Sequence, residues 1–380
     1  MYISIIVPLY HGKKYIDDLI AQVETCKRYL AENIKVELLL SNDAPDDPLD
    51  CLNKSKLIDV ISINTDKNRG IHGARIRGLE YAKGEYVLFL DQDDKIEPDY
   101  LQSQLNKILD VDAVVCKAIH DKKPKYDAML PFENVTSKEY MLKQGNPIVS
   151  PGQVLIRKSS ISEVWKKNIL TYNGADDWLL WICMMSEGKQ FAKNDRILFE
   201  HVLDGENASW QSVNMMRSEQ EIIHIIEINQ VLSEEELNTL KLTAQNLNIQ
   251  RIQLMDKFKK MFFIYNAWMD LYNRGCSVSQ YLRKKGINNV AIYGNGYLGK
   301  QLYKELKRNG INVGYFIDRN ALYMEEEIPV YSADEKLPQV DAVIITLTQG
   351  ENEVISMLEN NFCTKYYSIS ELIKEAGTLS

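Results

Sequence analysis

The sequence predicts an α/β protein with two domains joined by a helical connector. In the first third of the chain, short β-branched runs alternate with helical patterns, and a second alternation of this kind begins near Gly286. Between them, apolar residues recur at helical spacing. Alternating strands and helices favour a mostly parallel sheet flanked by helices. We therefore expect a large sheet domain over residues 1–215, a helical connector over 216–285 and a small α/β domain over 286–380.

Length and composition restrict the possible classes of protein. The 380 residues exceed what one ordinary core accommodates. The net charge of −8 argues against nonspecific binding to nucleic acid, so no nucleic-acid partner is expected. The six cysteines form no Cys-x-x-Cys pair, which fits a reducing compartment. A signal-peptide pattern and an apolar run of the ~18 residues that span a bilayer are both missing, and this predicts a cytoplasmic protein.

The elements of the first domain follow from apolar periodicity. Segment 86–90 is apolar throughout and should be a strand buried on both faces. Ligands of parallel sheets bind beyond the carboxyl ends of the strands, and both Asp43 and Asp91 follow such ends. Region 136–210 is expected to be irregular and to cover the sheet edge. The predicted strands are 3–9, 36–40, 60–63, 86–90 and 113–116, and the predicted helices are 13–30 and 73–82.

A cluster of carboxylates comes directly after strand 86–90. Asp91, Asp93 and Asp94 repel one another unless a cation lies nearby. Hard oxygen ligands in a short loop suit Mg²⁺ or Mn²⁺. The alternative is an acidic turn at a helix start, because 94–98 also resembles one. From these residues alone, the two interpretations are equally supported.

The surrounding segments carry a family resemblance. Segment 4–10 reads Ser-Ile-Ile-Val-Pro-Leu-Tyr, segment 68–75 reads Asn-Arg-Gly-Ile-His-Gly-Ala-Arg, and segment 78–94 ends in Phe-Leu-Asp-Gln-Asp-Asp. In this order they resemble the family 2 glycosyltransferases, clearly over residues 3–99 and more weakly to about 210. The resemblance implies a GT-A-type fold with a mixed, mostly parallel sheet. It also implies metal-dependent transfer of a sugar from a nucleotide donor, with inversion at the anomeric carbon.

The resemblance also implies a donor site. In it, Asp43 reads the donor base, usually uracil, Asp91 contacts the ribose or sugar, and Asp93 coordinates Mn²⁺ or Mg²⁺. Two positions depart from the family pattern, which usually has an Asp pair at 42–43 and Asn at position 11; here they are Asn42-Asp43 and His11. The implied UDP-sugar site comprises Pro8, Tyr10, Asp43, Arg75, Asp91 and Gln92.

A second acidic motif lies further along the chain. Segment 174–178, Gly-Ala-Asp-Asp-Trp, resembles the family motif that supplies the general base, which here would be Asp177. The alternative is that Asp176 or Asp177 only caps the helix that follows. By its interval from this motif, His201 is a candidate metal ligand, with a hydrogen-bonded structural histidine as the alternative. Segment 207–209 resembles the family's Ser-rich stretch.

Region 136–210 is expected to receive the acceptor, a glycan or a lipid-linked glycan. The Gln-x-x-Arg-Trp signature of processive synthases does not occur in the sequence. This favours transfer of one sugar over synthesis of a polymer.

The last domain carries a different motif. Gly294, Gly296 and Gly299 form a Gly-x-Gly-x-x-Gly loop between a strand and a helix, and Asp318 closes the next strand. This context predicts a second nucleotide site. The alternative is a packing or assembly module, for example in a homo-oligomer. An NAD(P)-dependent oxidoreductase defined by this domain, and a noncatalytic sugar-nucleotide sensor, are the competing functions.

The connector contains an aromatic and basic stretch, 255–272. Three lysines lie beside Phe258, Phe262, Phe263 and Trp268. Such a helix could rest on the inner face of a membrane that holds a lipid-linked acceptor. The favoured alternative is a helix that packs between the domains.

Overall fold

The computed structural model describes residues 1–50, 55–202, 212–321, 326–359, 362 and 364–379. The chain divides into two compact units, Met1–Ile249 and Gln250–Ser380. The division lies inside the predicted connector, and the three-part domain assignment stays a prediction. Segment 207–209 lies outside the described residues. No helix among the described residues has the length and apolar character needed to cross a membrane.

The first unit is built on a mixed sheet. Its order is β3-β2-β1-β4-β8-β6-β9-β5, with β7 paired to β6. β1 to β4 run parallel, β8 is antiparallel to both of its neighbours, and β9 is parallel to β6. The predicted α/β class with a mixed, mostly parallel sheet is confirmed. The strands are β1 (Tyr2–Leu9), β2 (Lys35–Asn42), β3 (Asp59–Ile63), β4 (Tyr86–Phe89), β5 (Lys95–Ile96), β6 (Ala113–His120), β7 (Lys123–Pro124), β8 (Val154–Arg157) and β9 (Phe191–His201).

Helices cover both faces of this sheet. Successive residues of a strand point to opposite faces, so Leu88 and Phe89 of β4 lie in two different apolar cores. The helices described up to the end of the connector are α1 (Ile16–Arg28), α2 (Gly70–Tyr81), α3 (Tyr100–Leu105), α4 (Lys138–Gln144), α5 (Glu163–Lys167), α6 (Asp176–Ser186), α7 (Ser212–Ile228) and α8 (Glu234–Asn273).

Residues 136–202, the described part of region 136–210, are more regular than expected, which corrects the sequence prediction. It supplies β8 and β9, and β8 lies inside the sheet between β4 and β6 rather than over its edge. The run Val154–Arg157 is too short to show a period. β9 mixes exposed charged residues with buried ones, so neither strand has a clear sequence pattern.

The second unit contains a five-stranded parallel sheet in the order β12-β11-β10-β13-β14. Its apolar cores are formed by its own residues. One face of α8 packs into this unit through Ile264 and Leu271, whereas Phe258, Phe262 and Phe263 are exposed. Membrane contact of this segment stays a prediction. The elements are α9 (Val278–Lys284), β10 (Asn289–Tyr293), α10 (Tyr297–Arg308), β11 (Asn312–Ile317), β12 (Val330–Tyr331), β13 (Ala342–Ile345), α11 (Glu351–Glu359), β14 (Lys365–Ser368) and α12 (Ile369–Ala376).

Candidate active site

The carboxyl ends of β1, β2 and β4 meet at one edge of the first sheet. Leu9 pairs with Asn42, Ile6 pairs with Phe89, and the Asp43 amide donates to the Leu9 carbonyl at 2.7 Å. The sheet register therefore brings the segments that follow these three strands together. This is the edge at which ligands of parallel sheets bind.

Asp43 lies at the end of β2 and is 4% exposed. Both of its oxygens accept from the Arg69 amide, at 3.1 and 3.0 Å, and Oδ1 also accepts from Arg77 Nη2 at 3.0 Å. A second bond from Arg77 Nη2 to the Asn42 carbonyl, at 3.1 Å, anchors the guanidinium. An ionised carboxylate has about four acceptor positions, so Oδ2 keeps capacity for another donor. The sequence argument missed Arg77, since nothing in its spacing separates it from an ordinary helix-surface arginine.

The other predicted donor-site residues of this edge lie on β1 and on the loop after β4. Pro8 is buried within β1, and the Tyr10 side chain is 55% exposed. The Tyr10 amide donates to Gln92 Oε1 at 3.1 Å. Gln92 therefore fixes the loop after β4 against the end of β1. The exposed Tyr10 ring leaves a surface on which a planar base could lie.

Arg75 occupies the centre of the edge. It lies in α2, is 3% exposed, and its Nη2 approaches Asp91 Oδ1 at 2.5 Å. Its Nη1 approaches Asp176 Oδ2, on the first residue of α6, at 2.6 Å. Arg75 was predicted to belong to the UDP-sugar site. The structure places its guanidinium between two acidic motifs, so its charge is already engaged by two carboxylates.

Asp177 follows Asp176 on the first turn of α6 and is 9% exposed. Its Oδ2 accepts from the neutral Asn146 amide at 2.9 Å, and its Oδ1 accepts from the Trp178 amide at 2.8 Å. Burial, together with the negative charge of Asp176, raises the pKa of Asp177 to about 7. Such a carboxylate can accept a proton near neutral pH. The residue in the cap position is Ala175, so the capping alternative does not apply in the form predicted.

The acidic turn after β4 does not start a helix. Its residues lead into β5, and the next helix, α3, begins at Tyr100. Asp94 is buried, and burial raises its pKa. Its Oδ1 pairs with His201 Nδ1 at 2.8 Å and accepts from the Val202 amide, while its Oδ2 accepts from Ser150 Oγ at 2.9 Å. Asp94 was not assigned a separate role from the sequence, and its partners lie 56 to 108 positions away.

The contacts of Asp94 and His201 help to decide whether this part of the site can bind a divalent cation. Among the described residues, no group of three or more His, Cys, Asp or Glu side chains could hold a metal by itself. However, Mg²⁺ and Mn²⁺ sites often use one or two protein ligands and complete their shell with phosphate oxygens and water. Asp93 is partly exposed. The Asp94 carboxylate orients the His201 ring as carboxylates orient metal-binding histidines. The donor set Asp93 and His201 Nε2 therefore fits a cation shared with a substrate phosphate.

In the glycine loop of the second unit, the local backbone structure requires glycine at two of the three positions. Gly294 has φ +96°, and a Cβ on Gly299 would lie 1.9 Å from the Gly294 carbonyl oxygen. A Cβ on Gly296 would meet nothing within 4 Å. Asp318 holds the loop, because its oxygens accept from the Asn295 amide at 2.9 Å and the Asn320 amide at 3.0 Å.

The negative charge around this loop is unfavourable for binding a phosphate. Glu326 accepts from Asn295 Nδ2 at 3.0 Å and pairs with Lys300 at 2.6 Å. Two carboxylates, those of Asp318 and Glu326, therefore lie close to the start of α10. Negative charge at this position opposes the attraction of a helix N-terminus for an anion. The second nucleotide site stays a prediction.

Comparison with known proteins finds a family similarity in the N-terminal region. Residues 4–165 match the family model described as glycosyl transferase family 2. This segment is similar to family 2 glycosyltransferases and makes up less than half of the chain. It contains Asp43, Arg75, Asp91 and Asp93, whereas Asp177 and His201 lie beyond the matched segment.

Individual relatives overlap the chain to different extents. The chain is 26% identical over 202 residues to the Escherichia coli UDP-Glc:alpha-D-GlcNAc-diphosphoundecaprenol beta-1,3-glucosyltransferase WfaP, covering 49% of this chain and 71% of that protein. It is 29% identical over 115 residues to EpsH of Bacillus subtilis, named as a glycosyltransferase, covering 30% of this chain and 33% of that one. The chain thus spans about a third of the length of EpsH.

Among solved structures, S. aureus TarS 1-349 in complex with UDP-GlcNAc is similar to this chain. The TM-score is 0.46 at 19% identity, over 64% of this chain and 71% of that one.

Proposed function

We propose that this protein is an inverting glycosyltransferase that moves one sugar from a UDP-sugar to a hydroxyl group of a glycan or lipid-linked acceptor. The observation that carries this proposal is the meeting of two acidic motifs at one sheet edge, linked by Arg75. One motif follows β4 and belongs to the matched family segment. The other presents Asp177, a buried carboxylate whose pKa, raised to about 7, suits a general base.

The donor half of the proposal rests on Asp43, Tyr10 and Asp91. Asp43 Oδ2 has capacity to accept the ring N–H of uracil, and the exposed Tyr10 ring offers a stacking surface. Asp91 lies at the mouth of the same edge with a partly exposed side chain. WfaP, which the chain resembles over 202 residues, is named for transfer from UDP-glucose.

The proposed metal site consists of Asp93 and His201, with Asp94 orienting the histidine. When bound there, Mn²⁺ or Mg²⁺ would offset charge on the diphosphate leaving group. Asp177 would remove the proton from the acceptor hydroxyl as it attacks the anomeric carbon. The proton then resides on Asp177, and the sugar–phosphate bond breaks to release UDP.

The experiment compares wild type with Asp177→Asn, using UDP, UDP-glucose and UDP-N-acetylglucosamine with Mn²⁺. We expect UDP with Mn²⁺ to raise the melting temperature of both proteins, because the variant keeps the proposed donor site. Hydrolysis of the sugar nucleotides, in which water takes the place of the acceptor hydroxyl and UDP is released, should be lost in the variant. In wild type, its rate should rise as the pH passes about 7, where Asp177 loses its proton.

The matched control is Asp195→Asn, which changes an exposed carboxylate that pairs with Lys117 away from the site. It should release UDP at the wild-type rate. Full activity of Asp177→Asn would exclude Asp177 as the base. A melting temperature unchanged by every nucleotide, with and without metal, would contradict the proposed function as a whole.

A further inference from the structure

Arg75 connects three separate segments of the first unit. It belongs to α2, whereas its partners lie after β4 and at the start of α6, 16 and 101 positions away. The guanidinium is a rigid planar fork, so it can hold two carboxylates in fixed directions at once. A lysine ammonium is a single point charge and does not provide this geometry.

The two ion pairs determine where this guanidinium lies. Arg75 is 3% exposed, and its Nε has no hydrogen-bond partner among the described residues. A buried charge is tolerated only when it is paired. The carboxylates of Asp91 and Asp176 therefore hold Arg75, and Arg75 in turn holds the two carboxylates at a fixed separation.

Other bonds join α2 to the segment before α6 independently of Arg75. The Leu170 amide donates to His72 Nδ1 at 3.1 Å, and the Ile71 amide donates to Asn173 Oδ1 at 3.0 Å. Trp165 packs on the His72 ring with centroids 4.5 Å apart and donates from Nε1 to the Asp176 carbonyl at 2.7 Å. The backbone frame of the site therefore has supports that remain when Arg75 is replaced.

We propose that Arg75 is a positioning residue for sugar transfer, which holds Asp91 and Asp176 in one network and so fixes Asp177 relative to the bound donor. This assignment rests on the proposed function. It differs from a donor contact, because the side chain acts through Asp91 on one side and through the first turn of α6 on the other.

The charges around Asp177 give the inference a second consequence. The charged groups that face Asp177 are Asp176 on its own helix, Arg75 from α2 and Asp91 from the loop after β4, beside the neutral Asn146 amide. Arg75 is the cation in this group and favours the ionised form of Asp177. Without it, two uncompensated carboxylates would raise the pKa of Asp177 further.

The test uses Arg75→Met and Arg75→Lys in the full chain, with UDP-glucose and UDP-N-acetylglucosamine as donors and Mn²⁺ present. Arg75→Met should lower kcat for UDP release by about 100-fold, as expected for a misplaced reacting group, with a much smaller change in the donor KM. The acid limb of its pH–rate profile should move to higher pH. Arg75→Lys should keep the wild-type acid limb, because the positive charge remains. Its kcat should stay low, because an ammonium group cannot hold two carboxylates in fixed directions.

The matched control is Arg157→Met. Arg157 pairs with Glu85 at 3.1 Å and donates to the carbonyls of Ile108 and Leu109, outside the site. This variant should lose some stability and keep the wild-type kcat and acid limb. If Arg75→Met does not fold, Arg75→Lys serves as the test. Its kcat should be reduced while its affinity for UDP is unchanged.

Two results would overturn the inference. One is a wild-type kcat and acid limb in folded Arg75→Met, and the other is complete recovery of kcat in Arg75→Lys. A loss of UDP binding that matches the loss of rate would instead make Arg75 a donor contact and contradict the positioning role. Wild type is measured first, and a melting temperature that no nucleotide changes, with and without metal, would contradict the proposed function itself rather than the role of Arg75.

Discussion

At the scale of single residues, the adjacent Asp176 and Asp177 differ in what they face. Asp176 pairs with the Arg75 guanidinium, whereas Asp177 has a neutral amide and a backbone N–H as its hydrogen-bond donors. The Arg75 guanidinium is thus paired directly with the first carboxylate and not with the second. The second is left with a raised pKa and is the one suited to exchange a proton near neutral pH.

This raised pKa predicts how Asp177→Asn changes stability with pH. The folded protein binds the Asp177 proton with a pKa of about 7, against a reference value of 3.8. The stabilising contribution is therefore complete below the reference pKa and is lost as the pH rises through about 7. Asparagine does not titrate, so the variant should gain stability relative to wild type as the pH is raised from about 4 to about 8.

Urea unfolding of both proteins at several pH values measures this effect. The quantity to compare is the difference in unfolding free energy between variant and wild type, since other titrating groups contribute equally to both. Asp195→Asn serves again as the exposed control and should show no such trend. A difference that stays constant over this range would show that Asp177 is not buried in an environment that opposes its charge.

Residue-level contacts were the least accessible part of the site to sequence reasoning. The position of Asp91 after a buried strand followed from the apolar run before it. By contrast, the pairs Arg75–Asp176 and Asp94–His201 join residues 101 and 107 positions apart. No local periodicity encodes such pairs, because they arise from the way separate elements pack. The same applies to Arg77. Its contact with Asp43 follows from the packing of α2 against the end of β2, which the sequence does not show.

At the scale of elements, strongly patterned segments were predicted well. The predicted strand 86–90 coincides with β4 to within one residue, and the helix predicted over 73–82 corresponds to α2, which starts three residues earlier. β14 was missed because Lys365–Ser368 is short, flanked by neither glycine nor proline, and only partly buried. β8 and β9 were missed because their pairing partners, rather than their own patterns, make them strands.

The glycine loop before α10 gives an element-scale prediction. Gly299→Ala would place Cβ 1.9 Å from the Gly294 carbonyl oxygen, whereas Gly296→Ala enters open space. We expect Gly299→Ala to destabilise the second unit by roughly 1–3 kcal/mol through overpacking. Gly296 is the N-cap residue of α10, where alanine is less favourable than glycine, so Gly296→Ala should cost at most about 1 kcal/mol. Urea unfolding of the two variants and wild type measures both values.

The same pair of variants also addresses the predicted second nucleotide site. Gly296 is the N-cap residue of α10, and a Cβ there would enter open space, so a ligand could approach the backbone at this position. Loss of nucleotide binding in Gly296→Ala with no more than this small loss of stability would support the site. Equal destabilisation by both variants would contradict the local packing described for this loop.

At the scale of the whole molecule, the apolar cores separate along the chain. The cores of the first sheet contain buried residues from Ile3 to Leu240, and those of the second sheet contain buried residues from Ile264 to Ala376. The candidate active site lies within the first unit. The glycine loop lies within the second. Each unit therefore has its own source of stability and its own candidate ligand.

This separation predicts two thermal transitions in calorimetry of the full chain. UDP with Mn²⁺ at about 100 times its Kd should stabilise the first unit by about 2.7 kcal/mol and raise one of the two transitions. Gly299→Ala should lower the other transition, because the clash it creates lies in the second unit. In the variant, UDP with Mn²⁺ should still raise the first transition by the wild-type amount, since effects at independent sites add. A single transition that responds to both the ligand and the substitution would contradict this prediction. It would show that the two units unfold together although their apolar cores are separate.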